Sequence, residues 1–236
     1  CVLFNKKDGY RKYLLSLGRP GDIDETEILT YENEWHLLIG FKDFINEHSP
    51  QVIIGYNIFN FDIPYMVERS ELLQDPLNFA KQGYLKDVPA PLEEIKWSSS
   101  AYKNQNFKFL NAEGRLFIDL LPLIKRDYKF SVYNLKAVST YFVGQTKDPL
   151  TAKHIFKYYE YGMNATKPVR GRKALAKVGK YCVQDSFLVG RIYEITETWV
   201  GLCEMAAVCN VPIIFLYTQG QQIKVFSDRK STRLNS

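Results

Sequence analysis

YNIFNFDIPY, Tyr56 to Tyr65, is the stretch on which the reading of this chain turns, because it sets an acid at the mouth of a buried strand. Immediately upstream, Val52-Ile53-Ile54 is a short run of β-branched apolar residues, the pattern of a strand buried on both faces. A helix is predicted to start near Pro64, so Asp62 falls between the carboxyl end of a strand and the first turn of a helix. Open α/β sheets place their chemistry in that crevice. An acid followed closely by Pro is also a common helix N-cap arrangement, and the stretch alone leaves both readings open. A second stretch, YCVQD from Tyr181 to Asp185, lies in a long helical segment, and its Tyr181 and Asp185 are four apart on one helix face.

YNIFNFDIPY resembles the second exonuclease motif of B-family DNA polymerases, and YCVQD resembles the third, in its tyrosine-containing DEDD form. Between them, GRLFIDLLPLIKRDYKFSVYNLKAVSTYFVG, Gly114 to Gly144, is similar to the same domain. TQGQQIKVFS, Thr218 to Ser227, is similar to the stretch that leads into the polymerase palm. KDPLTAKHIFKYYEYG and CNVPIIFLYTQGQQIKVFS resemble the polymerases of large eukaryotic DNA viruses, with the eukaryotic delta type next. The resemblance covers nearly the whole chain, and blocks in the right order are far more specific than any one of them.

The resemblance implies a ribonuclease H-like 3′-5′ exonuclease domain, an α/β fold with a mixed sheet and helices. Its central first strand carries the first motif, Asp-x-Glu. The chain is expected to begin after that strand, since position 1 is Cys and CVLFNK already alternates like an interior strand. Asp22-Ile23-Asp24-Glu25 does not replace the motif: it follows Pro20-Gly21 in a loop, precedes the second motif too closely and reads as a solvated charge run. Residues 1–198 are thus expected to form an incomplete exonuclease domain, and 199–227 a helix with a lead-in toward the palm. Residues 228–236, DRKSTRLNS, are what a common sequencing-adapter sequence encodes and are set aside from fold reasoning. Without them the 31 basic and 26 acidic residues fall to 28 and 25, so the net charge drops from +5 to +3.

That mild basicity is compatible with nucleic acid without requiring it. A 46% share of hydrophobic residues is ample for a packed core. Cys1, Cys182, Cys203 and Cys209 lack CxxC spacing and read as buried thiols of an intracellular protein. No apolar run reaches membrane-spanning length, and His36, His48 and His154 form no HExxH or nucleophile arrangement. Hydrolysis here would rest on carboxylates and metal.

Along the chain, Val2 to Phe4 and Tyr13 to Leu17 read as an antiparallel pair joined through Asp8-Gly9. A helix runs from Glu34 to His48, a strand to Tyr56, and a helix through Leu73. Asp75 to Pro91 reads as an irregular surface excursion. Trp97 to Tyr102 and Phe107 to Leu110 read as a hairpin turning at Lys103 to Asn106, and Leu116 to Leu120 as a core strand. Helices are predicted over Leu121–Asp127, Tyr133–Phe142, Ala152–Tyr161 and Ala174 to about Val208.

In the family pattern four carboxylates hold two divalent cations about 3.5 to 4 Å apart, which activate water and neutralise charge building on the phosphate. Oxygen donors without histidine suit Mg2+, with Mn2+ as the alternative, better than zinc. The resemblance gives Asp185 to the metal that activates water, Asp62 to the second, and Tyr181 to orienting that water. Asn57 and Phe61 fall where the family contacts the primer 3′ end, one donating hydrogen bonds and the other stacking; a turn Asn and a core Phe are the alternatives. Tyr56 and Tyr65 read as packing residues, and Asp119 as a structural hydrogen-bonding acid. Lys125, Arg126 and Lys129 are a small basic cluster, and the Lys103–Asn106 hairpin resembles the element that parts primer from template.

The reading is a fragment of a DNA-directed DNA polymerase acting on primer-template and single-stranded 3′ ends. dNTPs and a processivity factor are the parent's further partners, and no membrane is expected. The compartment would be the host nucleus or a cytoplasmic virus factory for a virus, and the nucleus for a cell. A stand-alone DEDD exonuclease and an inactive exonuclease-fold DNA-binding scaffold are the rivals. TQGQQIKVFS argues against the first, and the intact Asp62, Tyr181 and Asp185 against the second.

Overall fold

The turn at Asp8-Gly9 builds the first sheet. Asn5 Oδ1 accepts from the Lys7 N–H, and Gly9 at φ +72° adopts a backbone that side chains disfavour. The chain so reverses that β1 (Val2–Asn5) pairs antiparallel with β2 (Gly9–Leu17), Asn5 opposite Gly9. The computed structural model describes residues 1–85, 87–99, 103–145, 150–164, 168–218 and 227, with the backbone alone at 97–99, 103–106, 217 and 218. A third strand, β3 (Thr26–Tyr31), which the sequence pattern did not announce, runs parallel to β2. The acidic loop before it is solvated as expected, with Glu25 meeting Lys12 at 2.9 Å on the surface.

Successive β2 residues point to opposite faces. Tyr13 packs against Phe44 and His48 of α1 (Glu34–His48), ring centroids 5.1 and 5.2 Å away. Tyr10 meets Phe187 of α7 (Pro168–Ile195) at 5.0 Å, and Leu14 lies against Gly179 of the same helix. The sheet is therefore held between two helices. α1 forms where expected because Asn33 caps it, its side chain accepting from the His36 N–H at 2.9 Å. It stops where Ser49 turns left-handed before Pro50.

A separate parallel pair, β4 (Val52–Gly55) and β7 (Leu116–Asp119), aligns Gly55 with Asp119 at its carboxyl end. Among the described residues β1 pairs only with β2 and β4 only with β7, so Val2–Asn5 and Val52–Gly55 do not pair with each other. Phe59, Phe79, Phe107, Ile118 and Ile192, each at most 1% exposed, build the core around the β4–β7 pair. α2 (Asp62–Leu72) follows β4, and α4 (Leu120–Asp127) follows β7 without a loop.

Several expectations need correction. Residues 75–91 are not a surface excursion: they hold α3 (Pro76–Phe79), and Phe79 and Gln82 are buried. Arg115 ties this segment down, donating from Nε to the Gln82 carbonyl at 2.6 Å and from Nη1 to the Pro50 carbonyl at 2.7 Å, with its guanidinium over the Tyr84 ring. Loss of water lowers its pKa, so it is held by carbonyls and an aromatic face rather than by an acid. Arg115→Ala should cost about 2 to 4 kcal/mol in chemical denaturation, because buried carbonyls lose charged donors. Arg115→Lys should not restore it, since one ammonium cannot reproduce the planar fork.

The hairpin is longer than expected, with β5 (Leu92–Ser99) against β6 (Lys103–Leu110). Lys103–Asn106 is strand rather than turn, and the tip at 100–102 lies outside the described residues. α5 (Leu135–Val143) starts later than predicted because Asn134 caps it, and α6 (Ala152–Asn164) runs longer. The last long helix is two, α7 and α8 (Thr198–Cys209), broken where Glu197 takes φ +47°. α9 (Phe215–Thr218) follows, and the rest of the Thr218–Ser227 block, apart from Ser227, lies outside the described residues. Only Cys209 of the four thiols is buried, while Cys182 is exposed. No helix among the described residues is long and apolar enough to cross a membrane.

Candidate active site

Asp119 organises the loop that bears the second motif. Fully buried at the end of β7, it accepts at Oδ1 from the Asn57 N–H at 2.7 Å and the Leu121 N–H at 3.0 Å, and at Oδ2 from the Phe59 N–H at 3.2 Å. One carboxylate thus caps α4 and clamps the turn leaving β4. Burial pushes its pKa up to about 6, against the pull of the three N–H groups, and the charge of Asp62 raises it further. This is the structural role expected of it.

The clamped loop is anchored from the other side as well. Phe59 is buried against Phe107 and Phe109 of β6, and its carbonyl accepts from the Lys108 N–H at 3.1 Å. Asn57 bends the chain at φ +67°, a left-handed backbone that Asn tolerates better than most residues. Its side-chain oxygen accepts from Asn60 at 3.2 Å, which leaves the amide N–H groups as donors. Beyond this bend Phe61 and Asp62 are turned outward.

Asp62 is the first residue of α2, two residues earlier than Pro64 suggested, and the N-cap is Phe61 with no side-chain cap. The capping alternative for Asp62 therefore falls. The Asp62 side chain reaches solvent, yet the protein around it strips part of its hydration and raises its pKa, against its own N–H. Phe61 is 64% exposed, so it is not a core residue, and it stacks at 5° and 6.2 Å on Tyr65, itself exposed rather than packed. Tyr56 is a packing residue as expected, its hydroxyl donating to the Tyr133 carbonyl at 2.7 Å.

Tyr181 and Asp185 are half-buried on α7, the helix that also packs on β4. Asp185 precedes the buried Val189 by four residues and Ile192 by seven, so it shares the face that packs into the core around β4 and β7. Its Oδ1 is shielded from solvent. Among the described residues no three His, Cys, Asp or Glu are grouped to hold a metal. The donors present are carboxylate oxygens, with His36 on α1, His48 at its end and His154 on α6 all belonging to other parts of the chain. Arg126 is paired with its neighbour Asp127 at 2.6 Å, so the small basic cluster is partly neutralised.

Residues 1–138 match the family described as DNA polymerase family B, exonuclease domain. The chain belongs to that family. It is 50% identical over 232 residues to DNA polymerase 120R of Invertebrate iridescent virus 3, covering 96% of this chain and 20% of that protein. Putative DNA polymerase 060R of Frog virus 3 (isolate Goorha) is 39% identical over 225 residues, covering 92% of this chain and 21% of that protein. The DNA polymerase delta catalytic subunit of Candida albicans is 38% identical over 203 residues, covering 86% of this chain and 18% of that protein. The chain of this family B exonuclease domain spans about a fifth of the length of these relatives. The viral resemblance expected from the sequence, with the delta type behind it, is borne out.

Proposed function

We propose that this chain is the proofreading part of a DNA-directed DNA polymerase, in which it hydrolyses the 3′ terminal phosphodiester of a frayed primer. The observation that carries the reading is the Asp119 clamp, which holds Asp62 and Phe61 outward at the carboxyl end of a parallel strand pair in a family B exonuclease domain. The parent would bind primer-template and dNTPs, with a processivity factor as a further partner, inside a host cell.

The finer fold reading is a ribonuclease H-like sheet whose Asp-x-Glu strand precedes Cys1 and lies between β1 and β4. The absence of direct pairing between those two strands supports it. Asp62 and Asp185 supply hard oxygen donors, a set that fits Mg2+ or Mn2+, and the Asp-x-Glu carboxylates would complete it. Two bound divalent cations would generate hydroxide and neutralise charge at the scissile phosphate. Tyr181 would hold the attacking water by its hydroxyl, Asn57 would donate to the 3′ terminal nucleotide, and Phe61 would stack on its base. The stack with Tyr65 keeps the Phe61 ring in place before DNA arrives.

The test is release of mononucleotides from a 3′-labelled single strand by the polymerase expressed from its complete reading frame, with Mg2+ and with chelator. Phe61→Ala should raise KM about tenfold or more while kcat changes less, as loss of one base stack predicts. An unchanged KM would remove Phe61 from the site. Activity that survives complete chelation would remove the metal chemistry.

A further inference from the structure

The first half of α7 carries charge that its own fold does not use. From Pro168 to Gln184 the helix holds Arg170, Arg172, Lys173, Lys177 and Lys180 and no acid at all. Arg170, Lys173, Lys177 and Lys180 are spaced i, i+3, i+7 and i+10, which places them in one stripe. All four are exposed, and none forms an ion pair among the described residues. Like charges at these spacings repel, and cations near a helix N-terminus oppose its dipole, so the stripe is doubly unfavourable to the isolated helix. Lys177 has its ammonium 5.1 Å from the centre of the Tyr158 ring on α6, which braces it without neutralising it. α6 also exposes Lys153, Phe156 and Lys157, turned away from Tyr158 and with Glu160 beside them, so they are not counted with the stripe.

The stripe also has a direction. It spans about 15 Å along the helix axis and ends at Lys180, next to Tyr181 and about one and a half turns before Asp185.

We propose that Arg170, Lys173, Lys177 and Lys180 form a phosphate track that guides the single-stranded 3′ tail of DNA along α7 toward Asp185. The inference rests on the reading of the chain as acting on DNA ends. Each of these four side chains would neutralise a backbone phosphate without reading sequence, so affinity should be strongly salt-dependent and indifferent to base composition.

The test is fluorescence anisotropy of the full 236-residue chain with a labelled single-stranded oligonucleotide, titrated across several salt concentrations. Circular dichroism confirms that each variant is folded. Lys173→Glu/Lys177→Glu is compared with Lys6→Glu/Lys7→Glu, an equal change of charge on the exposed β1–β2 turn. The α7 variant should bind at least about tenfold more weakly than the turn variant. Lys173→Ala/Lys177→Ala should lower the slope of log affinity against log salt by about 1.4, two contacts at roughly 0.7 each for a single strand. Equal losses in the two charge-reversed proteins overturn the track while leaving the exonuclease reading standing. No binding by the unsubstituted chain overturns the track. Equal affinity for blunt duplex and single strand overturns the assignment to a single-stranded tail.

Discussion

Asp185→Ala, made in the polymerase expressed from the complete reading frame, is expected to cut 3′-5′ digestion of single-stranded DNA by roughly a thousandfold or more while primer extension from a matched end persists. The size follows from what the carboxylate would do. It lies on the core-facing side of α7 with one oxygen shielded from solvent, so no water replaces it at full strength when it is removed. Asp62→Ala should act in the same direction, whereas Tyr181→Phe should be milder, because it removes one hydroxyl contact and leaves the charges. Undiminished digestion by the Asp185→Ala protein would sink the assignment of the site. Loss of extension together with digestion would show that the substitution damaged the fold instead.

Asp119→Ala should produce a large loss of stability. Three backbone N–H groups, that of Phe59 buried and those of Asn57 and Leu121 half-buried, would lose their acceptor, at up to about 1 to 3 kcal/mol each, partly offset by removing a carboxylate that is buried at a cost. A net loss of roughly 3 kcal/mol is expected, read from the urea midpoint of the 236-residue chain. The pH dependence adds a signature. Because burial raises the folded pKa of Asp119 to about 6, the folded form holds its proton more tightly than the unfolded one. Its stabilising contribution is then complete below the unfolded value near 4 and is lost as pH rises through about 6, a change on the order of 3 kcal/mol. Asp119→Asn cannot titrate, so the stability difference between it and the natural protein should be constant above that window and shift in the natural protein's favour below it. A flat difference from pH 4 to pH 7 would show that the carboxyl titrates normally.

The elements that carry the candidate site were legible in the sequence where backbone geometry is local. YNIFNFDIPY announced a strand, a bend and a helix start, and YCVQD put two groups on one helix face. Asp119 was legible too, since an acid within the apolar run LFIDLL has to find donors. What escaped depends on distant partners. TEILTY becomes β3 only through its register with β2, Lys12 opposite Thr26. Lys103–Asn106 looks like a turn by composition, yet it pairs with Lys96–Ser99, and a ladder of backbone hydrogen bonds does not ask for apolar side chains. The break before α8 carries no Gly or Pro. Thr196 instead bonds back to the Ile192 carbonyl at 2.8 Å, competition with the helix that only coordinates reveal. Tyr65 was read as packing because aromatics usually pack, and its exposure follows from the outward turn that the Asp119 clamp imposes.

Gly179 and Gly190 are three helical turns apart on the side of α7 roughly opposite Asp185, where a Cβ would stand 2.4 Å from Leu14 and 3.0 Å from Tyr10. A side chain at either place would have to displace the Leu14 side chain or press on the Tyr10 ring, where α7 rests on β2. Neither glycine belongs to the proposed site, yet each would govern where Asp185 comes to rest. In genetic terms, alleles that raise a replicating genome's mutation frequency should then arise at these two glycines as well as at the acids themselves, and would be inherited as errors of copying rather than as loss of growth.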